Sequence, residues 1–130
     1  MLTKNEISSI IEESVIQSPF NNFNSMNKSD EPMWEKPLVG FASGDDPYFK
    51  KFKADIGDFY WLPNEAFKLK FKDSDVSDDQ LTVISIAFPQ TKKTKEDQKI
   101  SKGMPCERWL RTRGEWEAMI AKIVVSTFKK

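Results

Sequence analysis

Between Pro37 and Pro47 the chain reads Pro-Leu-Val-Gly-Phe-Ala-Ser-Gly-Asp-Asp-Pro, and this stretch restricts the fold more than any other. Leu38 to Phe41 is a short apolar run of strand type, expected to be buried. Gly40 and Gly44 let the backbone turn. Asp46 can then cap a helix, and Pro47 suits the first helical position because its missing N–H is unused there. A strand that turns through Gly-x-x-x-Gly into a capped helix can hold a site at a sheet edge. It can equally be plain scaffold, and both readings stay open at this point.

The remaining elements follow from period and caps. Leu81 to Phe88 is β-branched through much of its length and ended by Pro89, which predicts a strand beside Leu38–Phe41, covered on both faces. Residues 3–17 predict an amphipathic helix. Thr3 and Glu6 fit a capping box, Leu2 and Ile7 a hydrophobic staple, and Ile7, Ile10, Ile11 and Val15 share one face. Residues 107–128 predict a second long helix through Trp109, Trp116, Met119, Ile120, Ile123, Val124 and Phe128, with Gly114 as a weak point.

Two short helices are expected as well. One runs from Pro47 to Asp55, stopped by Gly57, with Phe49, Phe52 and Ile56 turned inward. The other runs from Pro63 to about Lys70, where the alternation of Phe67, Leu69 and Phe71 leaves a strand open. Residues 18–36, rich in Asn, Ser and Pro, read as a surface loop pinned by Phe20, Phe23, Met26 and Trp34. Gln90 to Pro105, with five lysines and almost no apolar residue, reads as a mobile loop. The expectation is a single α+β domain over 1–130, with an N-terminal helix 3–17, a surface loop 18–36 and a core 37–130. In it a small central sheet is packed by two long helices and two short ones.

Composition removes several chemistries. The chain has one cysteine and no histidine, so neither an internal disulfide, nor a zinc or cluster site, nor Cys-His or Ser-His catalysis can be built from it. Cys106, at a helix start two residues before Arg108, is a candidate reactive thiol, because such positions lower a thiol pKa. The acidic turn of Asp73, Asp75, Asp78 and Asp79 lacks the glycine and closing glutamate of a calcium loop. No catalytic residue and no metal ligand set is assigned. No apolar run reaches the ~18–20 residues of a membrane span, and Glu6, Glu12 and Glu13 interrupt any signal-like pattern. The expected setting is the cytoplasm, without a membrane partner.

Charge is divided along the chain. Residues 1–88 carry a net −6 and residues 89–130 a net +6. Arg108, Arg111 and Arg113 cluster at the start of the last helix, against the dipole preference there. With Lys102 they are the candidate anion- or substrate-facing residues, since a planar guanidinium can bind two phosphate oxygens at once. Helical spacing places Arg108 and Arg111 on one face and turns Arg113 elsewhere.

Pro37–Pro47, Leu81–Pro89 and Glu107-Arg108-Trp109-Leu110-Arg111-Thr112-Arg113 together resemble the N-terminal part of the epoxyqueuosine reductase-like iron–sulfur proteins. The resemblance covers about Trp34 onward and rests on collinear short motifs rather than on a catalytic signature. It implies an incomplete half of a larger fold. The longer relatives follow this region with a cysteine-rich segment that holds iron–sulfur clusters, and their tRNA-modifying members use cobalamin. That segment is not in these 130 residues, so the resemblance brings no cofactor ligand and no catalytic residue to this chain.

Three functions stay open. The first is the N-terminal portion of such a reductase, forming part of a cofactor and substrate pocket and not catalytic alone. The second is a stand-alone binding module, whose open sheet edge and helix face would be covered by self-association or a partner chain. The third is a nucleic-acid-binding domain using Lys92, Lys93, Lys95, Lys99, Lys102 and the three arginines on tRNA or another phosphate ligand, although aromatics are not interleaved with those lysines.

Overall fold

The computed structural model describes residues 1–128 and shows an α+β protein with five α-helices and a two-stranded antiparallel sheet. The helices are α1 (Lys4–Ile16), α2 (Pro47–Ile56), α3 (Pro63–Lys70), α4 (Lys92–Ile100) and α5 (Glu107–Phe128). The strands are β1 (Leu38–Ser43) and β2 (Thr82–Ala87), paired with each other. The chain falls into two compact units, Met1–Val39 with Ile86–Lys130, and Gly40–Ser85.

The first unit holds the core. In α1 the capping box is present: the Glu6 N–H donates to Thr3 Oγ1 at 3.2 Å, and the Thr3 N–H donates to Glu6 Oε2 at 2.7 Å. These bonds satisfy donors that a helix start otherwise leaves unpaired, and they hold the Glu6 carboxyl below its ordinary pKa. Leu2, the outer half of the expected staple, is exposed and Ile7 is half-buried. Ile11 and Val15 are buried, whereas Ile10 is exposed, so the buried stripe is narrower than the period suggests. α1 packs on α5, and Val15 joins Met119 and Ile123 in one cluster with Phe23, Met33 and Trp34. Phe88, just past β2, packs against that cluster and meets Trp34 edge-on at 6.0 Å. Helix α5 runs through Gly114 without a break. Phe128, expected on its inner stripe, has a side chain that lies outside the described residues.

The segment 18–36 is mostly exposed and is pinned to the core by Phe23, Met33 and Trp34, with Met26 packed against them. Phe23 and Met33 are fully buried, and only Phe20 of its large apolar residues is well exposed. Asn21 explains how an aperiodic segment is held. Its Nδ2 donates to the carbonyls of Val15 and Trp34, both at 3.1 Å, and its Oδ1 accepts from the Trp34 N–H at 2.8 Å. One buried amide thus ties the end of α1 to the residue that carries the core indole. Residues 34 and 35 then pair with 89 and 90, through the Trp34–Gln90 bridge and the Glu35 N–H donating to the Pro89 carbonyl at 2.9 Å.

The lysine-rich stretch after β2 is α4 rather than a loop. Thr91 caps it, accepting from the Thr94 N–H at 3.3 Å, and Thr94 is fully buried. The polar composition hid this helix because it is anchored at its ends and by one small residue, not by an apolar stripe.

In the second unit the turn after β1 forms as expected. The Tyr48 N–H donates to Asp46 Oδ1 at 2.9 Å and Pro47 opens α2. Gly57, at φ 133°, ends it in a conformation that favours glycine. Gly40, however, lies inside β1 and makes no turn, and Leu38, expected to be buried, is 66% exposed. Val83 and Ile84 are half-buried, because a two-stranded sheet does not offer the cover of a central strand. Gly44 is required for close approach: a Cβ there would lie 2.5 Å from the Asp78 carbonyl oxygen and 2.9 Å from Leu81 Cβ. Gly44→Ala is expected to lower stability by about 1–3 kcal/mol, whereas Gly40→Ala, which meets nothing within 4 Å, should be near neutral. Urea midpoints of the two variants check the contrast.

Candidate functional site

The candidate cations sit around the junction of α4 and α5. Gln98 organises it: its Nε2 donates to the Met104 carbonyl at 3.0 Å and its Oε1 accepts from the Cys106 N–H at 2.9 Å. These bonds fold the turn 101–105, in which Lys102 has φ 26° and Gly103 φ 85°, back against the end of α4. Helix α5 then starts at Glu107 and places the three arginines on its first two turns.

The structure does not bring the four cations together. Arg108 points inward and is 2% exposed. Its Nε donates to Asp97 Oδ2 at 2.8 Å, its Nη1 donates to Glu31 Oε2, and its guanidinium lies 5.0 Å from the centre of the Phe23 ring. Two carboxylates and a ring face occupy it, so its place among the anion-facing residues is corrected to an internal ion pair. Burial works to lower the Arg108 pKa, but the hydrogen bonds to Glu31 and Asp97 outweigh it and raise it, so the group stays charged. Arg111 is exposed and pairs with Glu107 at 3.4 Å. Arg113 is exposed and stacks over the Trp109 ring at 5.6 Å. Lys102 is exposed on the turn. Helical spacing put Arg108 and Arg111 on a common face, yet the first is buried and the second is not.

Glu31 and Asp97 are the residues that sequence reasoning missed. Glu31 lies in the Asn- and Ser-rich segment, 77 positions from Arg108, and no local pattern signals the pair. Lys93 Nζ also donates to Glu31 Oε1 at 2.7 Å. The hydrogen bonds from Lys93 and then Arg108 hold the Glu31 carboxyl down to about 2, against an ordinary value of 4.5. A depressed acid gives stability that is fully present above the unfolded value and lost as pH falls through the folded one. The expected result is a loss of stability between about pH 4.5 and pH 2 that is smaller in Glu31→Gln, the remainder coming from Glu6 and Glu65, which are also held low, read from urea midpoints across that window.

Cys106 is a free thiol, 7% exposed, with its Sγ 3.8 Å from the Thr94 carbonyl and accepting from the Trp109 N–H at 3.4 Å. Buried between two helices, it should react with iodoacetamide more slowly than an unhindered thiol, and reach that rate only in denaturant.

The unit Gly40–Ser85 has a different character. None of the buried hydrophobic side chains lies in it. Tyr48, Phe59, Trp61, Leu69 and Phe71 are all more than half exposed. The rings of Tyr48 and Phe52 lie 6.0 Å apart and those of Phe52 and Tyr60 6.3 Å, while Phe67 stacks on Phe71 at 4.6 Å. Phe52 and Ile56, expected to point inward, are exposed. Between these rings lies a cavity of about 330 Å³ lined by Phe49, Tyr60, Trp61, Phe67, Leu81 and Val83 among others. Lys53 Nζ reaches both Glu65 oxygens at 2.8 Å and ties α2 to α3. Among the described residues no group of three or more acidic, cysteine or histidine side chains is placed to hold a metal ion. No helix among them is long and apolar enough to cross a membrane.

The fold defines a small α+β protein with an uncovered aromatic surface on one unit. No family model, no curated protein and no solved structure matches the chain.

Proposed function

We propose that the chain is the N-terminal portion of an epoxyqueuosine reductase-like iron–sulfur protein, that it supplies one wall of a cofactor and substrate pocket, and that it is not catalytic alone. The observation that supports this reading is the aromatic surface of Gly40–Ser85. That unit has no buried hydrophobic side chain and exposes Tyr48, Phe59, Trp61, Leu69 and Phe71. Contiguous exposed apolar surface marks an interaction face, and ring contacts join Tyr48 to Phe52 and Phe67 to Phe71 on this unit. In this reading further polypeptide covers it, the cysteine-rich segment of the longer relatives being the cover that the resemblance implies. Clusters would then be held by that segment, since one cysteine and no histidine cannot ligate a cluster here, and the cobalamin that the resemblance implies would lie between that segment and this chain.

The test is to read the coding sequence beyond Lys130 and co-express its product with the tagged chain. A cysteine-rich product that co-purifies, and that removes binding of the apolar dye ANS, is the expected result. A stop without such a product, together with a monomeric chain that binds no ANS, overturns the reading.

The same surface favours a second reading, a stand-alone interaction module covered by another chain or by a second copy. Sedimentation separates the two, because only self-association depends on the concentration of this chain alone. A tRNA or phosphate ligand, if bound at the α4–α5 junction, would meet Lys102, Arg111 and Arg113 but not Arg108. A salt-sensitive affinity for a tRNA stem-loop that Lys102→Ala with Arg111→Ala abolishes is the expected result, and unchanged binding removes the idea.

A further inference from the structure

A second cavity, of about 410 Å³, lies wholly within the unit that holds the core. Trp34, Trp109 and Trp116 line it, together with Gln90, Thr112 and Arg113. Three of the four tryptophans of the chain meet here, two of them about two helical turns apart on α5 and the third from the segment before β1. Trp34 and Thr112 are buried, whereas Trp116 is 43% exposed. Core packing accounts for Trp34 but not for an indole left open to solvent beside it. The Trp34 Nε1 is also buried with no hydrogen-bond partner among the described residues, which is rare for an indole N–H.

We infer that this cavity binds a planar aromatic ring carrying a single anionic group. The volume is in the range of small-molecule sites, which are typically about 300–1,000 Å³ with a few placed polar groups. The exposed Trp116 indole is the face on which a planar π-system can stack, since Trp34 is buried and Arg113 lies over Trp109. The Gln90 amide donates to the Thr112 hydroxyl at 3.4 Å and that hydroxyl donates to the Trp109 carbonyl at 2.7 Å, so this polar pair is already engaged and adds no ligand bond. Arg113 supplies the charge. Its guanidinium lies over Trp109 at 5.6 Å, which already fills the cation slot of that ring and argues against a quaternary ammonium ligand. Glu117 also lines the cavity, so one anionic group suits it better than a polyanion. This inference does not rest on the proposed function, because none of the lining residues belongs to Gly40–Ser85.

The probes are adenosine 5′-monophosphate and nicotinate, which carry the same chemistry from two sources. Adenosine and inorganic phosphate each represent half of it. Calorimetry with tryptophan fluorescence is expected to show saturable binding of at least one of the first two, with its own half-ligand at least ~10-fold weaker, as loss of a charge-assisted hydrogen bond or of ring stacking implies. Trp116→Ala and Arg113→Ala, both at exposed positions and checked for folding by circular dichroism, should each weaken binding about 10-fold. Lys122→Ala, at an exposed position of α5 that does not line the cavity, should leave it unchanged. The inference fails if neither probe saturates below about 10 mM, if inorganic phosphate binds as well as the aromatic probes, or if Lys122→Ala weakens binding as much as Arg113→Ala.

Discussion

Arg108→Ala is expected to destabilise the protein by about 3 kcal/mol, more than any other charge substitution in the chain. Surface ion pairs contribute roughly 0–1 kcal/mol, and Arg111→Ala should fall in that range, since Arg111 is exposed and pairs only with its helical neighbour Glu107 at 3.4 Å. Arg108 differs because its side chain is 3% exposed and bonds two carboxylates from two separate segments. Removing it leaves Glu31 and Asp97 without their buried partner, and removes the cation from the Phe23 ring. Loss of one member of a buried pair typically costs about 3–5 kcal/mol. The lower end applies because Glu31 and Asp97 keep side-chain exposures of 24% and 42% and can rehydrate, and Glu31 retains Lys93. Arg108→Lys should recover only part of the loss, because an ammonium cannot present the same fork to both acids. Denaturant midpoints of the three variants give the ordering.

Phe23→Ala is expected to cost about 3–5 kcal/mol, the range for a fully buried phenylalanine. The position lies in a segment without a helix or strand of its own length, yet the ring is fully buried between Val15, Met33 and the α5 residues Met119 and Ile123 in the core cluster. Its neighbour in the same segment, Phe20, is 48% exposed and has Lys122 Nζ 4.6 Å from its ring centre, so Phe20→Ala should cost about 1 kcal/mol or less. If both phenylalanines cost the same, Phe23 does not pin the segment 18–36 to the core.

The elements that carry local signals were legible. Thr3 and Glu6, Asp46 and Pro47, Pro63, and the period of Trp109 to Ile123 each act within one turn of their own position, and α1, α2, α3 and α5 follow them closely. Residues whose fate depends on distant partners were not. Nothing near Asn21 announces that its amide joins Val15 to Trp34, and nothing near Glu31 announces Arg108. The helix α4 was hidden for a related reason: its period is polar, and what holds it is the Thr91 cap, the buried Thr94 and the Asp97–Arg108 bond. At the candidate site the arginine cluster was visible as charge, but its division into one buried and two exposed members depends on tertiary structure. The aromatics of residues 48–71 read as core because aromatic residues usually pack inward. Their exposure is instead the feature on which the proposed function rests.

That proposal requires the two units to differ in their own stability when the chain is alone, and residue-resolved amide hydrogen exchange measures this directly. Protection tracks local burial and local opening free energy. The account predicts strong protection through Ile11–Val15 and Thr112–Ile123, where the buried core lies, and protection lower by about two orders of magnitude or more across 47–71, rising when a covering chain binds. Equal protection of 47–71 and of α5 in the isolated chain would contradict it, because the aromatic surface would then need no cover.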